Sequence, residues 1–168
     1  MFRVLNIDDG SIIFNLPTVN SAICLKYLRS GKLASGSSDN KIRMWNTTTG
    51  IELPSLTGHT AHIFSIEELS NNYLASGSAD MTIKIWDLIE NICVQTLIGH
   101  NDRITSLIEL SPGVLASGSL DSTIRIWNFS SSELISTIYT NKLLYSMIKL
   151  SNGLIAAGFF SYIKLLRN

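Results

Sequence analysis

Small and aliphatic residues alternate with polar ones in short bursts along this chain, and the bursts recur. Leu33 to Trp45 reads LASGSSDNKIRMW, Leu74 to Trp86 reads LASGSADMTIKIW, and Leu115 to Trp127 reads LASGSLDSTIRIW, each 41 residues after the last. Eight of the thirteen columns are identical in all three copies, which makes this an array of equivalent units rather than one irregular domain. A weaker fourth copy, Ile155 to Leu166, keeps Ala156 and Gly158, lacks the Asp and the Trp, and has a turn one residue shorter. Within each copy a strand of small residues leads into a turn around Asp39, Asp80 or Asp121. An Ile-x-Ile/Met-Trp run with charge between the apolar positions follows, and its period of two predicts a second strand. Ile92 to Leu97 and Arg103 to Leu110 are two further strand-like runs, set off by Thr47 to Gly50, Gly58-His59, Asn71-Asn72, Gly99-His100 and Ser111-Pro112-Gly113. Each 41-residue period therefore predicts four short strands and no helix, the pattern of propeller blades.

The ends break the pattern in an informative way. Phe2 to Gly10 (FRVLNIDDG) aligns with Ile42 to Gly50 (IRMWNTTTG) at an offset of 40, which predicts a blade's third strand at residues 2–6 and its outer strand at 11–16. The fourth copy runs out after a third strand. The chain is read as a single array over 1–168: a partial blade strand at 1–10, repeats at 11–46, 51–87 and 92–128, and a degenerate repeat at 133–168. Three complete blades flanked by two strands at one end and three at the other predict an open, partial or half propeller. Two readings match that expectation: two chains self-associate to complete a ring of about eight blades, because open blade faces and strand edges attract a neighbour, or the chain is a section of a longer propeller, which the spare strand at residues 2–6 favours.

Composition changes the picture only by exclusion. An apolar share of 45% is ample for a core. Thirteen basic residues balance thirteen acidic ones, so the basic surface that a nucleic-acid binder or a polybasic membrane protein needs is not expected. No apolar stretch reaches the roughly 18 residues of a membrane helix, and Met1 to Gly10 has no apolar signal core. Cys24 and Cys93 stand far apart and are read as reduced residues of a cytoplasmic protein, with the nucleus as the alternative location.

Gly58-His59 and Gly99-His100 precede Trp86-Asp87 and Trp127-Asn128, with 27 residues from each His to its Trp, and Trp45-Asn46 is a further near-match. In these features the chain resembles the WD-repeat, or beta-transducin-like, β-propeller family over about residues 11–168. The Gly-His pair is missing from the first copy, where Pro17-Thr18 stand, and from the fourth, where Tyr139-Thr140 stand. The resemblance implies an all-β fold of about four repeats of four antiparallel strands, with proteins or peptides as partners.

A Ser, a His and an Asp in each repeat invite a catalytic-triad reading. The set recurs in successive units, however, and an enzyme has little use for one nucleophile per blade. Ser35 and Trp45 lie symmetrically about residue 40, as do Ser76 and Trp86 about 81 and Ser117 and Trp127 about 122, which predicts that each pair sits nearly opposite across its hairpin. A half-buried indole N–H needs an acceptor, and a Ser hydroxyl supplies one. The family resemblance implies structural tetrads of Trp86, Ser76, His59 and Asp80, and of Trp127, Ser117, His100 and Asp121. The first copy has Trp45, Ser35 and Asp39 without a His.

No metal is expected, since no Cys or carboxylate completes a recognised ligand spacing around His59, His62 and His100. No cofactor is expected either, for want of a Gly-rich phosphate loop. Arg43, Lys84 and Arg125 are read as a solvated face whose stems cover the Trp residues. The resulting expectation is a non-enzymatic scaffold for protein–protein interaction. The alternative is a substrate-receptor subunit of a ubiquitin ligase. A propeller enzyme is less favoured, because channel-facing strands such as Ile104 to Leu110 offer mostly aliphatics and Glu109. The partner-docking positions that the resemblance implies are His62, Arg103, Ser38, Ala79 and Leu120, with Leu143 and Phe160 in the fourth unit.

Overall fold

The structure, a computed structural model, describes residues 2–5, 8–16, 21–159 and 162–166. Strands β1 (Phe2–Leu5) and β2 (Ile12–Leu16) pair as a sheet of their own. The first unit follows as β3 (Ala22–Tyr27), β4 (Lys32–Ser37), β5 (Lys41–Asn46) and β6 (Glu52–Thr57). The second is β7 (Ile63–Glu68), β8 (Tyr73–Ser78), β9 (Thr82–Asp87) and β10 (Ile92–Ile98). The third is β11 (Ile104–Ser111), β12 (Val114–Ser119), β13 (Thr123–Asn128) and β14 (Glu133–Tyr139). A fourth unit holds β15 (Leu144–Lys149), β16 (Ile155–Phe159) and β17 (Tyr162–Leu166). Each sheet is an antiparallel meander in chain order, and the fold is that of propeller blades in an open array. Residue 6 of the expected first strand, Pro17-Thr18 and Phe160 lie outside the described residues. The only helical element among the described residues is a single 3-10 turn at Ser70–Asn72 between β7 and β8. Among the described residues no helix is long and apolar enough to cross a membrane.

The repeated Asp makes the central hairpin turn. Thr82 N–H donates to Asp80 Oδ1 at 3.0 Å and Thr123 N–H to Asp121 Oδ1 at 2.9 Å, closing Asx turns. The residues between, Met81 and Ser122, take the left-handed conformation at φ 67° and 64°. The second Ser of the Ser-Gly-Ser motif braces the same turn. Ser78 Oγ accepts from Asp80 N–H at 3.0 Å and donates to Ala61 O at 3.0 Å, and Ser119 does the same with Asp121 and Asp102.

The Gly between those serines is required by packing between units. A Cβ on Gly36 would lie 2.6 Å from Ile63 Cγ2, and one on Gly77 would lie 2.5 Å from Ile104 Cγ2. The innermost strand of each next unit therefore presses a branched side chain into a hollow over the glycine. Three apolar clusters fill the three unit-to-unit seams, so the core sits between sheets and repeats along the array.

Candidate functional site

In the second unit Trp86 Nε1–H donates to Ser76 Oγ at 2.8 Å, and Ser76 Oγ lies 2.7 Å from His59 Nε2. His59 Nδ1 lies 2.7 Å from Asp80 Oδ2. The third unit repeats the set with Trp127, Ser117, His100 and Asp121 at 2.8, 2.7 and 2.8 Å. The chain of donors runs one way: indole to hydroxyl, hydroxyl to Nε2, Nδ1–H to carboxylate. Burial pushes both imidazoles below their ordinary pKa against the pull of Asp80 and Asp121, which keeps the rings neutral. Burial works against ionised Asp80, but hydrogen bonds from Thr82, the Thr60 N–H and His59 outweigh it and hold the carboxyl down at about 2. Each set thus ties the loop ahead of the inner strand to the central hairpin turn.

The expected arrangement of Ser opposite Trp needs correction. Trp86 faces Leu74 across the hairpin and Ser76 faces Lys84, with the same offset in the first and third units. Ser and Trp are diagonal neighbours, and the indole is long enough to span the difference. The ring tip also explains the glycine of the Gly-His pair, since a Cβ on Gly58 would sit 3.2 Å from Trp86 Cη2 and one on Gly99 3.0 Å from Trp127 Cη2.

The first unit is built differently. Ser35 Oγ is buried without a hydrogen-bond partner among the described residues. Asp39 pairs with Arg43 at 2.5 Å, and Arg43 also reaches Glu52 at 2.6 Å. Only 14% of the Arg43 side chain is exposed, so it is a packed ion-pair centre rather than part of a solvated face.

Among the positions expected to dock partners, Ala79 lies beside His62 and Leu120 beside Arg103, whereas Ser38 lies beside Ser21. Ala79 N–H donates to His62 O at 2.8 Å, Leu120 N–H to Arg103 O at 3.1 Å, and Ser38 N–H to Ser21 O at 2.9 Å. Ser38, Ala79 and Leu120 are half-buried, His62 and Arg103 are exposed, and Leu143 is 45% exposed. One member of this face was not legible in the repeat: Phe64. Arg103 Cζ lies 5.4 Å from its ring centroid, and the His62 ring lies 6.4 Å away. A β-bulge between Ile63 and Ser65 puts Phe64 out of the strand's alternation, and bulges at the same place in β3, β11 and β15 single out Ile23, Thr105 and Tyr145. Aromatics at two of the four positions of this column, Phe64 and Tyr145, were the available signal.

Ile104, Leu107 and Ile108, expected to line a channel, are buried in the seams between units. Glu109 accepts from Ser70 N–H at 2.9 Å and from Ser70 Oγ at 2.7 Å, clasping the neighbouring unit. Among the described residues no three His, Cys, Asp or Glu side chains group as metal ligands.

A family model described as WD domain, G-beta repeat (WD40) matches residues 10–46, 50–87 and 91–128. Among curated proteins no match was found. Solved structures similar to the chain include a chain of a mitotic checkpoint complex, at TM-score 0.89 and 20% identity over 99% of this chain and 54% of that one. The WD40 β-propeller domain of Doa1 is similar at TM-score 0.83 and 24% identity over 94% of this chain and 54% of that one. The computationally designed Ika4 protein is similar at TM-score 0.78 and 23% identity over 90% of this chain and 93% of that one. The chain spans about half the length of the first and second of these structures.

Proposed function

The chain belongs to the WD40 family of G-beta repeats, and on that premise we propose that it is a non-enzymatic scaffold in the cytoplasm or nucleus that docks peptides or proteins on one propeller face. Propellers of this family generally serve protein interaction, and a chain of the same fold sits in a mitotic checkpoint complex. The observation that carries the reading is how the repeated polar groups are used. Ser76 and Ser117 are fully buried, and each hydroxyl is held between an indole and an imidazole, so neither is presented to a substrate. The face beside them offers Arg103 over Phe64, His62, and the exposed Leu143, a cationic–aromatic and aliphatic mixture suited to protein surfaces. Ser38, Ala79 and Leu120 complete the same rim, and Phe160 is assigned to it from its place in the repeat.

The test is quantitative affinity purification with the wild-type chain and an Arg103→Glu/Phe64→Ala/Leu143→Asp variant of unchanged melting temperature. Proteins held by the wild type should fall at least about tenfold with the variant, the loss that about 1.4 kcal/mol of contact energy produces. Retention of every partner would remove the face assignment. Covalent labelling of Ser76 or Ser117 by a serine-directed fluorophosphonate would remove the non-enzymatic reading.

A further inference from the structure

Two adjacent seams, between the first and second units and between the second and third, each open into a groove at the end of the hairpins away from the repeated Asp turns. The first groove is about 200 Å³ and the second about 240 Å³. Both fall below the roughly 300 Å³ at which a pocket holds a whole small molecule, so each suits a side chain or two rather than a cofactor. Four lining positions are shared, 41 residues apart: Lys32 and Tyr73, Met44 and Ile85, Leu88 and Phe129, Ile89 and Ser130. Lys32 faces Asn46 and Tyr73 faces Asp87 at the far ends of their hairpins, which puts both grooves on the side opposite the rim of His62 and Arg103. The turn from β9 into β10 runs between the grooves, and its aliphatic side chains are bare. Ile89 is 68%, Ile92 54% and Val94 43% exposed, with Ile89 lining the first groove and Val94, at a bulge, lining the second. The result is one apolar strip across the second unit with a groove at either end. All of these residues belong to the first three units, each a complete four-stranded sheet.

The two grooves differ in chemistry. Tyr73, Ile85 and Phe129 line the second, and its polar group, Gln95, is turned to a neighbour, Nε2–H donating to Ser130 O at 3.0 Å. In the first groove Lys32 occupies the place of Tyr73. It is half-buried, and its ammonium makes no hydrogen bond or ion pair among the described residues. Glu68 shares that groove, but both its oxygens accept from Arg29 N–H at 3.1 Å, with the Arg29 guanidinium 3.7 Å away. Arg29 thus offsets Glu68, and Lys32 is left as the uncompensated charge of the groove. A half-buried ammonium without a counter-ion is unfavourable, and an incoming carboxylate removes that cost. We infer that the strip docks an extended segment of a partner protein, with an Asp or Glu carboxylate on Lys32 and a branched aliphatic side chain between Tyr73 and Phe129. Packed sheets lie about 10 Å apart and an extended chain advances about 3.3 Å per residue, so the acidic and aliphatic residues of the segment stand about three to five positions apart. This surface is separate from the rim that carries Arg103 and Phe64, so the two can be occupied at once.

Selection of random phage-displayed dodecapeptides against the 168-residue chain tests the inference, with a Lys32→Val/Tyr73→Lys chain as the counter-selection. Each substitution installs a residue that another unit carries in the same column, Val114 or Lys32, and melting temperature checks that the fold accepts it. Peptides retained by the wild type alone should carry Asp or Glu about three to five positions from Leu, Ile or Val. A fluorescein-labelled peptide so selected should bind at least about tenfold more weakly to Lys32→Val, and also to Val94→Asp, a change at an exposed position. Changing the peptide's acidic residue to its amide should weaken binding to the wild type by a similar factor and leave binding to Lys32→Val unaltered. The advantage of the acidic peptide should shrink as salt rises. Failure to select any peptide over the counter-selection, selected peptides without an acidic residue, a peptide indifferent to Lys32→Val, or one lost instead with Arg103→Glu/Phe64→Ala, and so bound to the opposite rim, would each overturn it.

Discussion

The second and third units carry the full tryptophan–serine–histidine–aspartate set and the first does not, yet all three central hairpins are laid down in one register. Leu33 faces Trp45 as Leu74 faces Trp86 and Leu115 faces Trp127. The polar set therefore does not choose the hairpin. The alternation of apolar residues and the turn around the repeated Asp do that, since a slip of one residue would turn every buried side chain to the wrong face. What the set adds is a clamp. In the second and third units the loop ahead of the inner strand is fastened to the hairpin turn, with Thr60 N–H and Asn101 N–H also donating to Asp80 and Asp121 at 3.0 Å. In the first unit the Asp39 carboxylate is paired with Arg43, and the buried Ser35 hydroxyl is left without a hydrogen bond among the described residues. Packing between units and hydrogen bonding within them are thus separable, and each can be broken alone.

Breaking the packing should cost most. Gly77→Val places methyl groups where Ile104 Cγ2 and Ser65 Oγ already stand 2.5 and 2.6 Å from a bare Cβ. A loss of about 3 kcal/mol is expected, the upper end of overpacking costs. Gly158→Val, with no neighbour among the described residues closer than 3.6 Å, should stay within about 0.5 kcal/mol. Urea unfolding midpoints compare the two directly, and equal losses would mean that the seams do not govern stability.

Breaking the clamp should cost less and carry a pH signature. His100→Ala leaves the Ser117 and Asp121 groups short of a partner and should destabilise by about 1–3 kcal/mol. Burial lowers the pKa of His59 and His100 in the folded chain, so between that lowered value and about 6.5 the unfolded chain binds more protons than the folded one. Stability from this source is complete above about 6.5 and declines as pH falls below it. Asp80 and Asp121, whose carboxyls are held below their ordinary value, add a second loss beneath about 4. Melting temperature should therefore fall from pH 7 to pH 5 and more steeply below, and a His59→Asn/His100→Asn chain should lose the first slope. A wild-type profile flat between pH 7 and pH 5 would contradict neutral, clamped imidazoles.

Much of this was legible in the chain itself, and what was not has physical causes. Repeat spacing, period-two patterning and turn residues placed the strands, and the family resemblance supplied the residues of both polar sets. The diagonal relation of Ser to Trp was missed because the turn centres on Asp39, Asp80 and Asp121 rather than on the residue after, a shift that only the paired register reveals. Phe64 was missed because a bulge breaks the alternation from which faces are read. The burial of Arg43 depends on Glu52 approaching from the adjacent strand, and the burial of Ile104 and Leu107 on a neighbouring unit, contacts that no single repeat contains.

The smallest expected effect sharpens the contrast most, because it should have the opposite sign from its counterpart. Ser117→Ala removes the acceptor of the Trp127 indole and the donor to His100, stranding two buried groups, and should destabilise. Ser35 occupies the same column, fully buried, but its hydroxyl makes no hydrogen bond among the described residues. Desolvating a hydroxyl without a partner is unfavourable, so removing it relieves that cost, while the lost atom is too small to leave a cavity of consequence. Ser35→Ala should accordingly be neutral or stabilising by up to about 1 kcal/mol. Restoring a His to the first unit would then be pointless in the alanine background and useful in the wild type: Thr18→His alone should stabilise, and Thr18→His with Ser35→Ala should not. Urea midpoints for the four chains form a double-mutant cycle, and its coupling term isolates the clamp from the hairpin that carries it. A coupling near zero would mean that the first unit lacks more than the imidazole.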